Sequence, residues 1–499
     1  MAFNGMGAFL DELERAGELL RVRETVSCDL EIAAVSEKMM KEQGGGKALL
    51  FEKVIRVDGS PSAFPVCVNL FGSENRMRLA LGGKTPDEIA GEIAVLLKAK
   101  LPKSGREAWE LLKIAFGAAQ AFPHPAINPC KRVIYSGEDL KKFDLSHLPV
   151  LKCWPKDGGP FVTLPTVYTA DPDTGTRNIG MYRIQVYDGL STGMHWQTHK
   201  VGARHGKRFR EKGEIMPVAV CLGGDPLYTF AATAPMPDGF DEILLAGFLR
   251  GRSVAMIPCR TQPIKVPDDS DFVIEGFVDP SEPLRDEGPF GDHTGFYTPV
   301  DKYPVFHVTA ISHRADAVYP ATVVGKPPME DYYMGTASVR LFLPVIKMHF
   351  PEIVDIALPM EGVFHNLVFV SIKKQYPWQA FKIMNGLWGM GQMMFSKIIV
   401  VVDESVCVHN LSEVIFHLCA NIDPARDILF TKGPVDSLDH ATATPDIGSH
   451  MGIDATTKLQ SEGYARQWPD QVEMPESVRG RAAEILARLR AGMKSNNEI

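Results

Sequence analysis

Apolar residues follow a helical spacing near the start of the chain and a strand-like spacing soon afterwards. Phe9, Leu10 and Leu13 share one helical face ahead of Gly17, and this pattern predicts a short amphipathic helix. Short apolar runs predict three strands, at residues 19–22, 48–51 and 66–70. We therefore expect residues 1–125 to form an α/β region, which ends at the proline-rich stretch 122–130.

A second helix is predicted to begin at Thr85. Thr85 is a favourable N-cap residue, Pro86 suits the first helical position, and Glu88 stands where a capping box places its acid. Apolar residues then recur at helical spacing from Ile89 onwards, which predicts one buried face.

Residues 126–322 have a different pattern, in which short runs of β-branched and aromatic residues alternate with turn-forming clusters. These runs predict strands at residues 162–168, 179–187, 215–221, 253–257, 272–278 and 305–312. One helix is predicted among them, over residues 240–250, with Asp238 or Gly239 near its start. Such a series is typical of an antiparallel barrel or sandwich.

A stretch with consecutive prolines, residues 323–340, is predicted to link this region to a final α/β domain over residues 341–499. Within that domain, two strands alternate with two helices, predicted at residues 367–372, 377–389, 398–403 and 411–420. An amphipathic helix over 477–493 is expected to dock on this or another subunit. The fold class predicted overall is mixed α+β.

Composition and charge narrow the function classes. The chain has 499 residues, of which 45% are hydrophobic, and a formal net charge of -8, which argues against a general nucleic-acid binder. No apolar run is long enough to span a bilayer and the start of the chain lacks a signal-peptide pattern, so we expect a cytoplasmic protein without an integral membrane segment. The eight cysteines form no CxxC pair and are predicted to be reduced thiols.

The stretch of residues 287–297 has the highest density of side chains that could take part in catalysis. It reads Glu-Gly-Pro-Phe-Gly-Asp-His-Thr-Gly-Phe-Tyr, so glycines and a proline separate the carboxylates of Glu287 and Asp292. Glycine permits close approach of backbone to a ligand, and fixed turns would hold the two carboxylates at a defined separation for acid/base work. A solvated glycine-rich surface turn is the alternative interpretation of the same composition.

This stretch resembles the signature of the UbiD family of reversible decarboxylases, which use prenylated FMN. The likeness continues, in the family's order, at Asn178 with Arg183, at His199, at Glu242 and at residues 451–458. It is strongest for the branch that contains the 4-hydroxy-3-polyprenylbenzoate and hydroxyarylic acid decarboxylases. The resemblance implies a split β-barrel that binds the flavin, flanked by α/β domains, of which the C-terminal one completes a homo-oligomer, a dimer or a hexamer.

The resemblance also implies which residues are catalytic. It assigns Arg183, Glu287 and Asp292 to an acid/base network, in which Asp292 delivers a proton and Arg183 holds Glu287. Arg183 stands five residues after Asn178, and an odd separation on a regular strand would place the two side chains on opposite faces. If both face the cofactor, a bend or bulge near Gly180 is expected.

A metal site is implied at Asn178, His199 and Glu242, which would bridge the protein to the cofactor phosphate. One amide oxygen, one imidazole and one carboxylate suit Mn²⁺ or Mg²⁺, and the resemblance adds a monovalent cation, K⁺ or Na⁺. Each residue also has a structural explanation. Asn178 could be a turn residue, His199 a histidine whose hydrogen bonds are satisfied within the protein or by water, and Glu242 an acid in the first turn of a helix. His195 and His205 compete with His199, which is preferred because it follows the run that ends at Thr198.

The expected contacts to the cofactor extend beyond the metal ligands. The positions assigned to prenylated FMN binding are Asn178, Ile179, Arg183, Thr198, His199, Pro235, Glu242 and Lys397. Whether Lys397, Lys326 or His293 contacts a ligand stays open. Solvation is the default explanation of the two lysines, and a backbone-bonded loop histidine explains His293 about as well as contact with a ring substituent does.

The function implied is reversible non-oxidative decarboxylation of an aromatic, hydroxylated carboxylic acid, with release of CO₂. The partner implied is a flavin prenyltransferase, which supplies the cofactor. A conventional FMN oxidoreductase would also use a split barrel, but it has no need of the network of Arg183, Glu287 and Asp292. A non-catalytic subunit of a larger carboxylase complex is a third possibility, although such a subunit has no chemical use for these side chains.

Overall fold

The computed structural model describes residues 2–97, 121–197, 199–236 and 239–495, with side chains as far as residue 490. The chain forms two compact units, of which the first contains residues up to 374 together with 380–456, and the second contains 375–379 and the residues from 457 onwards. Helices and strands alternate along the first unit, so the predicted mixed class of fold is confirmed.

The helices of the described chain follow one another in this order: α1 (Met6–Arg15), α2 (Glu31–Met40), α3 (Glu74–Ala80), α4 (Pro86–Leu97), α5 (Val201–Lys212), α6 (Pro226–Thr233), α7 (Glu242–Arg250), α8 (Glu330–His349), α9 (Gln379–Trp388), α10 (Leu411–Asn421), α11 (Pro424–Asp427) and α12 (Glu476–Ser495).

The strands are β1 (Leu19–Ser27), β2 (Ala48–Ile55), β3 (Val66–Val68), β4 (His124–Pro125), β5 (Arg132–Ser136), β6 (Phe161–Val162), β7 (Thr166–Ala170), β8 (Arg177–Gly180), β9 (Ile184–Gln185), β10 (Ser191–Gly193), β11 (Met216–Leu222), β12 (Ala255–Pro258), β13 (Lys265–Pro267), β14 (Phe272–Val278), β15 (Arg285–Glu287), β16 (Phe290–Gly291), β17 (Tyr297–Thr298), β18 (Asp301–Tyr303), β19 (Val305–Arg314), β20 (Tyr319–Pro320), β21 (Ile353–Ala357), β22 (Leu367–Ile372), β23 (Ile398–Asp403), β24 (Ile428–Pro434) and β25 (Ile447–Asp454).

The first three strands form a four-stranded sheet with β20, in the order β1-β2-β3-β20. A strand from the end of the central region therefore pairs with a strand of the N-terminal region. The predicted helix around Phe9 is confirmed as α1, whose apolar face is buried. The predicted start of α4 is also confirmed. The backbone N–H of Thr85 donates to the Glu88 carboxylate at 2.7 Å, and the N–H of Glu88 donates to the Thr85 hydroxyl at 3.2 Å.

The central sheet has the order β10-β19-β14-β11-β7-β8, with β5 also paired to β19. Within the described residues no pairing joins β8 back to β10, so the split barrel remains a prediction. The strand predicted over 179–187 is interrupted: β8 ends at Gly180 and β9 begins at Ile184. The bend expected near Gly180 is therefore confirmed, and Arg183 lies in the break between the two strands.

The prediction of a single helix in the central region is wrong, because α5 and α6 lie there as well as α7. Helix α6 begins at the N-cap Asp225, whose carboxylate accepts from the N–H of Leu227 at 3.0 Å. Its apolar residues are buried on nearly every side, so the sequence shows no helical periodicity. Helix α5 instead carries many cations, and glycines at 202 and 206 let it approach the Trp196 ring.

The last sheet of the first unit has the order β21-β22-β23-β25-β24, and its two faces bury separate apolar clusters. Val368 and Val370 pack on the face that α9 covers, while Phe369 points into the opposite cluster. Helix α8 begins at Glu330, inside the stretch that the sequence assigned to a linker, because the acids that follow the prolines suit a first helical turn.

The second unit contains the terminal helix α12, which the apolar periodicity predicted. The ring of Tyr464 contacts that of Trp468 within this unit, at a centroid distance of 5.0 Å. Docking of α12 on another surface remains a prediction. None of the described helices is long and apolar enough to cross a membrane. All eight cysteines lie in the described part of the chain and are free thiols, as predicted.

Candidate active site

Arg183 connects the two carboxylates of the glycine-rich stretch. Its Nε and Nη2 donate to Glu287 Oε1 and Oε2, each at 2.9 Å, and its Nη1 donates to Asp292 Oδ2. The guanidinium also lies over the Phe290 ring, 4.9 Å from its centroid. The structure therefore brings together the residues that the sequence assigned to an acid/base network, and we call Arg183, Glu287 and Asp292 by that name below.

Local backbone contacts fix the positions of the two acids. Glu287 ends β15 and Asp292 follows β16, which pairs with β17 across a tight loop. The N–H of Gly288 donates to Gln185 Oε1 at 2.7 Å, and the N–H of Gly291 donates to Asp157 Oδ1 at 2.8 Å. A Cβ at Gly291 would lie 2.2 Å from the Trp154 ring, so only glycine permits this approach.

The network is buried and charged. Glu287 is 0% exposed, and although burial by itself raises its pKa, hydrogen bonds from His195 and Arg183 bring the pKa below its ordinary value. Burial likewise raises the pKa of Asp292, but His293 and Arg183 lower it by more. Arg183 has a raised pKa, because the two carboxylates outweigh its own desolvation. Both acids are therefore carboxylates in this arrangement.

His195 extends the network on the side of Glu287. Its Nδ1 lies 3.2 Å from Glu287 Oε2, and its ring packs against Tyr303 at a centroid distance of 4.2 Å. Burial first, and then the nearby Arg183, lower the pKa of His195, so the neutral imidazole donates from Nδ1. The sequence offered His195 only as a competing metal ligand, and the structure places it beside Glu287.

A histidine pair extends the network on the side of Asp292. His293 Nδ1 lies 2.9 Å from Asp292 Oδ1, and His293 Nε2 lies 3.0 Å from His365 Nε2. Asp436 approaches the same point, so that one ligand atom from each of His293, His365 and Asp436 lies within 4.8 Å of the others. The sequence analysis missed His365 and Asp436, since residues so far from the loop give no spacing signal.

A cavity of about 370 Å³ opens beside the acid/base network. Arg183, His195 and Tyr303 line it from the central region, and Ser437 and Asp446 line it from the segment between β24 and β25. The cavity is large enough for a small aromatic acid, and it brings one buried guanidinium within reach of a bound carboxylate.

Asn178 and Glu242 line a second cavity, of about 560 Å³, which we call the Asn178 cavity. The N–H of Ile179 donates to Glu242 Oε2 at 2.8 Å, which holds this carboxylate at the start of α7. Burial raises the pKa of Glu242 to about 7. Four cations surround the cavity, namely Arg177, Arg204, Lys207 and Arg208. An oxygen donor set beside so many cations fits a phosphate with a divalent metal ion.

Buried donors in this cavity fit an anionic ligand. Asn178 Nδ2 is buried and has no hydrogen-bond partner among the described residues, and neither do Nε and Nη1 of Arg177. The remaining Arg177 nitrogen, Nη2, lies 3.0 Å from the Asp241 carboxylate. Buried donors of this kind are normally satisfied, so the residues present fit the phosphate group of a flavin.

The remaining predicted positions lie in different surroundings. His199 is exposed, with its ring 5.6 Å from that of Phe395, whereas His205 lines the Asn178 cavity and bonds through Nδ1 to the Thr169 hydroxyl at 3.0 Å. Val201, two residues after His199, also lines this cavity. The choice between the two histidines therefore stays a prediction.

Three further positions were assigned to the cofactor. Lys397 Nζ donates to the Asp439 carboxylate at 2.7 Å, so its charge already has a partner in the protein. Pro235 is half-buried just after α6, and Thr198 lies outside the described residues. None of these positions is assigned a ligand contact by the structure.

Family models match the chain over most of its length. They are described as the N-terminal, Rift-related and C-terminal domains of 3-octaprenyl-4-hydroxybenzoate carboxy-lyase, and they match residues 10–97, 126–327 and 332–455. An uncharacterized protein of Archaeoglobus fulgidus is 46% identical over 493 residues, which cover 98% of this chain and 99% of that relative.

Two solved structures share the fold. The vanillic acid decarboxylase of Sedimentibacter hydroxybenzoicus, in its closed form, has a TM-score of 0.82 at 25% identity and covers 98% of this chain and 99% of its own. The UbiD-class enzyme HmfF of Pelotomaculum thermopropionicum, in complex with prFMN, has a TM-score of 0.75 at 23% identity and covers 95% of this chain and 97% of its own.

Proposed function

The chain belongs to the UbiD family of carboxy-lyases, and on that premise we propose that it catalyses reversible non-oxidative decarboxylation of an aromatic, hydroxylated carboxylic acid with prenylated FMN. The observation that carries the proposal is the buried contact of Arg183 with both Glu287 and Asp292. Similarity to a vanillic acid decarboxylase supports a hydroxylated aryl acid as the substrate.

In this proposal the chain's own residues bind the acid and move its proton. Arg183 attracts the substrate carboxylate into the cavity that it lines, while Glu287 keeps the guanidinium fixed in orientation. When bound, prenylated FMN supplies the electron sink for the bond that breaks, which no side chain of the protein offers.

Proton transfer is assigned to Asp292. In the decarboxylation direction the bond between the ring carbon and the carboxylate breaks, CO₂ leaves, and protonated Asp292 gives its proton to that ring carbon. Burial lowers the pKa of His293, but the Asp292 carboxylate raises it to about 9, so the imidazolium of His293, whose Nδ1 lies 2.9 Å from Asp292 Oδ1, is the adjacent source from which this carboxylate regains a proton. The reverse sequence carboxylates the ring.

Cofactor binding is assigned to the Asn178 cavity. Asn178 and Glu242 would ligate Mn²⁺ or Mg²⁺ together with one histidine, and a monovalent cation would lie nearby. The cations around this cavity would neutralise the phosphate. Ile179 and Pro235 would border the flavin, Lys397 would contact it only after leaving Asp439, and a flavin prenyltransferase would supply it.

Two single variants identify the histidine ligand. We expect His199→Ala to lose bound manganese while His205→Ala keeps it, because His205 already bonds to Thr169. Metal content is measured on purified protein, with thermal melting as the check on folding. Loss of manganese from His205→Ala alone would assign the ligand to His205 instead.

The proposed function is tested on protein co-produced with a flavin prenyltransferase and manganese. The mass and absorption spectrum of the extracted cofactor are measured first, followed by CO₂ release from a panel of hydroxybenzoates. We expect the mass of prenylated FMN and turnover of at least one acid. Ordinary FMN together with oxidation of NAD(P)H would favour the oxidoreductase, and a protein without flavin would favour the non-catalytic subunit.

A further inference from the structure

The histidine cluster, made up of His293, His365 and Asp436, lies outside the Asn178 cavity and shares no residue with it. Its members come from three separate segments: the loop between β16 and β17, the loop before β22, and the residues after β24. All three side chains are half-buried, so water solvates them only in part. Burial of polar side chains costs free energy unless they bind a partner, such as a hydrogen-bonding group or a metal ion.

The two imidazoles present their Nε2 atoms to each other. These atoms are 3.0 Å apart, and two nitrogens that share one tetrahedral zinc ion lie roughly 3.3 Å apart, given zinc–nitrogen distances of about 2.0–2.1 Å. One carboxylate oxygen of Asp436 lies within 4.8 Å of a ring nitrogen of each histidine. The distance between the two Nε2 atoms is therefore close to the distance expected if both nitrogens bound one zinc ion.

The opposite nitrogen of His293 supports this arrangement. Its Nδ1 lies 2.9 Å from Asp292 Oδ1, and its Nε2 faces His365 Nε2 at 3.0 Å, so a metal ion bound here would replace the proton between the two Nε2 atoms. A carboxylate that orients a metal-binding histidine through its other nitrogen is a recurrent feature of zinc sites. Asp436 is also oriented, since its Oδ1 accepts from the N–H of Leu438 at 2.9 Å.

The backbone before His365 is unusual. Val363 and Phe364 both have positive φ angles, 53° and 46°, which are costly for residues with a Cβ, above all for a β-branched one. The Phe364 ring then packs against His293 at a centroid distance of 5.5 Å. This turn places the His365 ring beside His293.

We propose that His293, His365 and Asp436 form a second metal site, which binds a divalent ion of the zinc class. Two imidazoles and one carboxylate favour Zn²⁺ or Co²⁺ over Mg²⁺, which prefers oxygen ligands. The ion would join the loop that carries Asp292 to two loops of the C-terminal sheet. This site shares His293 with the proposed reaction, but binding of the ion needs neither flavin nor substrate.

The test uses the full chain, stripped of metal with a chelator and titrated with CoCl₂. We expect visible ligand-field absorption from the wild-type protein, and its loss in His365→Asn and in Asp436→Asn, with the apparent dissociation constant for Co²⁺ raised at least tenfold. His409→Asn is the matched control, because His409 pairs with Asp355 at 3.0 Å outside the cluster and should titrate like the wild type.

A second variant separates this site from the proposed flavin site. Glu242→Gln removes a ligand of the Asn178 cavity, so it should keep the cobalt absorption. X-ray absorption of the wild-type protein loaded with one equivalent of Zn²⁺ needs no variant, and we expect two imidazole ligands for each ion, whereas the Asn178 cavity offers one.

Two results would overturn the proposal. Identical cobalt titrations of the wild type and His365→Asn, with both proteins folded by circular dichroism, would mean that the two histidines only share a proton. An X-ray absorption spectrum that shows a single imidazole ligand for each zinc ion would place the ion at Asn178 and Glu242. Neither result bears on decarboxylation, so failure of the second metal site and failure of the proposed function are distinguishable.

Discussion

Arg183 holds Glu287 by two parallel hydrogen bonds, in which Nε and Nη2 each lie 2.9 Å from a different carboxylate oxygen. The pair is buried, since Glu287 is 0% and the Arg183 side chain 9% exposed. A bidentate pair fixes direction as well as distance, so the third donor, Nη1, can only point at Asp292. The site is therefore preorganised by the protein alone.

We expect Glu287→Gln to reduce turnover by about a hundredfold or more, since the uncharged amide can no longer hold Arg183 by two charged hydrogen bonds. CO₂ release from the best hydroxybenzoate measures the effect, and circular dichroism checks the fold. Asp286→Asn is the matched control, because Asp286 is the exposed neighbour and pairs with the exposed Lys302. Near-normal turnover in Glu287→Gln would remove the residue from the mechanism.

The contact of His195 with Glu287 predicts a change in pH dependence. Burial alone raises the pKa of Glu287, and the hydrogen bonds from His195 and Arg183 lower it. His195→Asn should therefore raise the pKa of Glu287, so that the acid side of the pH–rate profile moves to higher pH. The profile is measured from pH 4 to 8 for both proteins.

The control for this shift is His147→Asn, since His147 makes a similar contact with Asp144, at 3.0 Å, far from the acid/base network in the sequence. That variant should keep the wild-type profile. An unchanged acid limb in His195→Asn would show that Glu287 does not govern it.

The close approach of Gly291 to Trp154 predicts a steric penalty. In Gly291→Ala the new Cβ would lie 2.2 Å from the ring, so the loop or the ring must move, at a cost of about 1–3 kcal/mol in the free energy of unfolding. Turnover should fall too, because Asp292 is the next residue. Urea unfolding and CO₂ release measure the two effects.

Gly7→Ala serves as the comparison, because a Cβ at Gly7 meets nothing within 4 Å. Gly7 lies in α1, where alanine is the better helix former by about 0.8–1.0 kcal/mol, so no loss of stability is expected. If both glycine variants unfolded at the same urea concentration, the contact with Trp154 would not constrain the loop.

Removing one carboxylate from the Asn178 cavity should release its metal ion. We expect Glu242→Gln to be purified with less manganese and less flavin than the wild type, because a neutral amide binds a divalent cation more weakly than a carboxylate does. Metal analysis and the flavin absorption spectrum measure both. Glu211→Gln alters an exposed glutamate that lines the same cavity, and should retain both ligands. Equal retention in the two variants would exclude Glu242 as a ligand.

Local features of the chain could be predicted because they are encoded within a few residues. The cap at Thr85 and the buried face of α1 follow from spacing and capping chemistry, whereas the break after Gly180 was expected only because the resemblance implies that Asn178 and Arg183 both face the cofactor. The loop of Glu287 and Asp292 was recognisable for the same reason, since its glycines and acids are contiguous. The fully apolar α6 was missed because a helix buried on nearly every side has no periodicity to detect.

The sequence by itself determined the mixed class of fold, the loop that carries the two acids and the resemblance to the UbiD family. Only the tertiary structure decided that His195 bonds to Glu287, that Lys397 pairs with Asp439, and that His365 faces His293. These partners are separated by 92, 42 and 72 residues along the chain. A pattern within one segment records the local backbone, whereas contacts at such separations depend on how sheets and loops pack, which leaves no local signal.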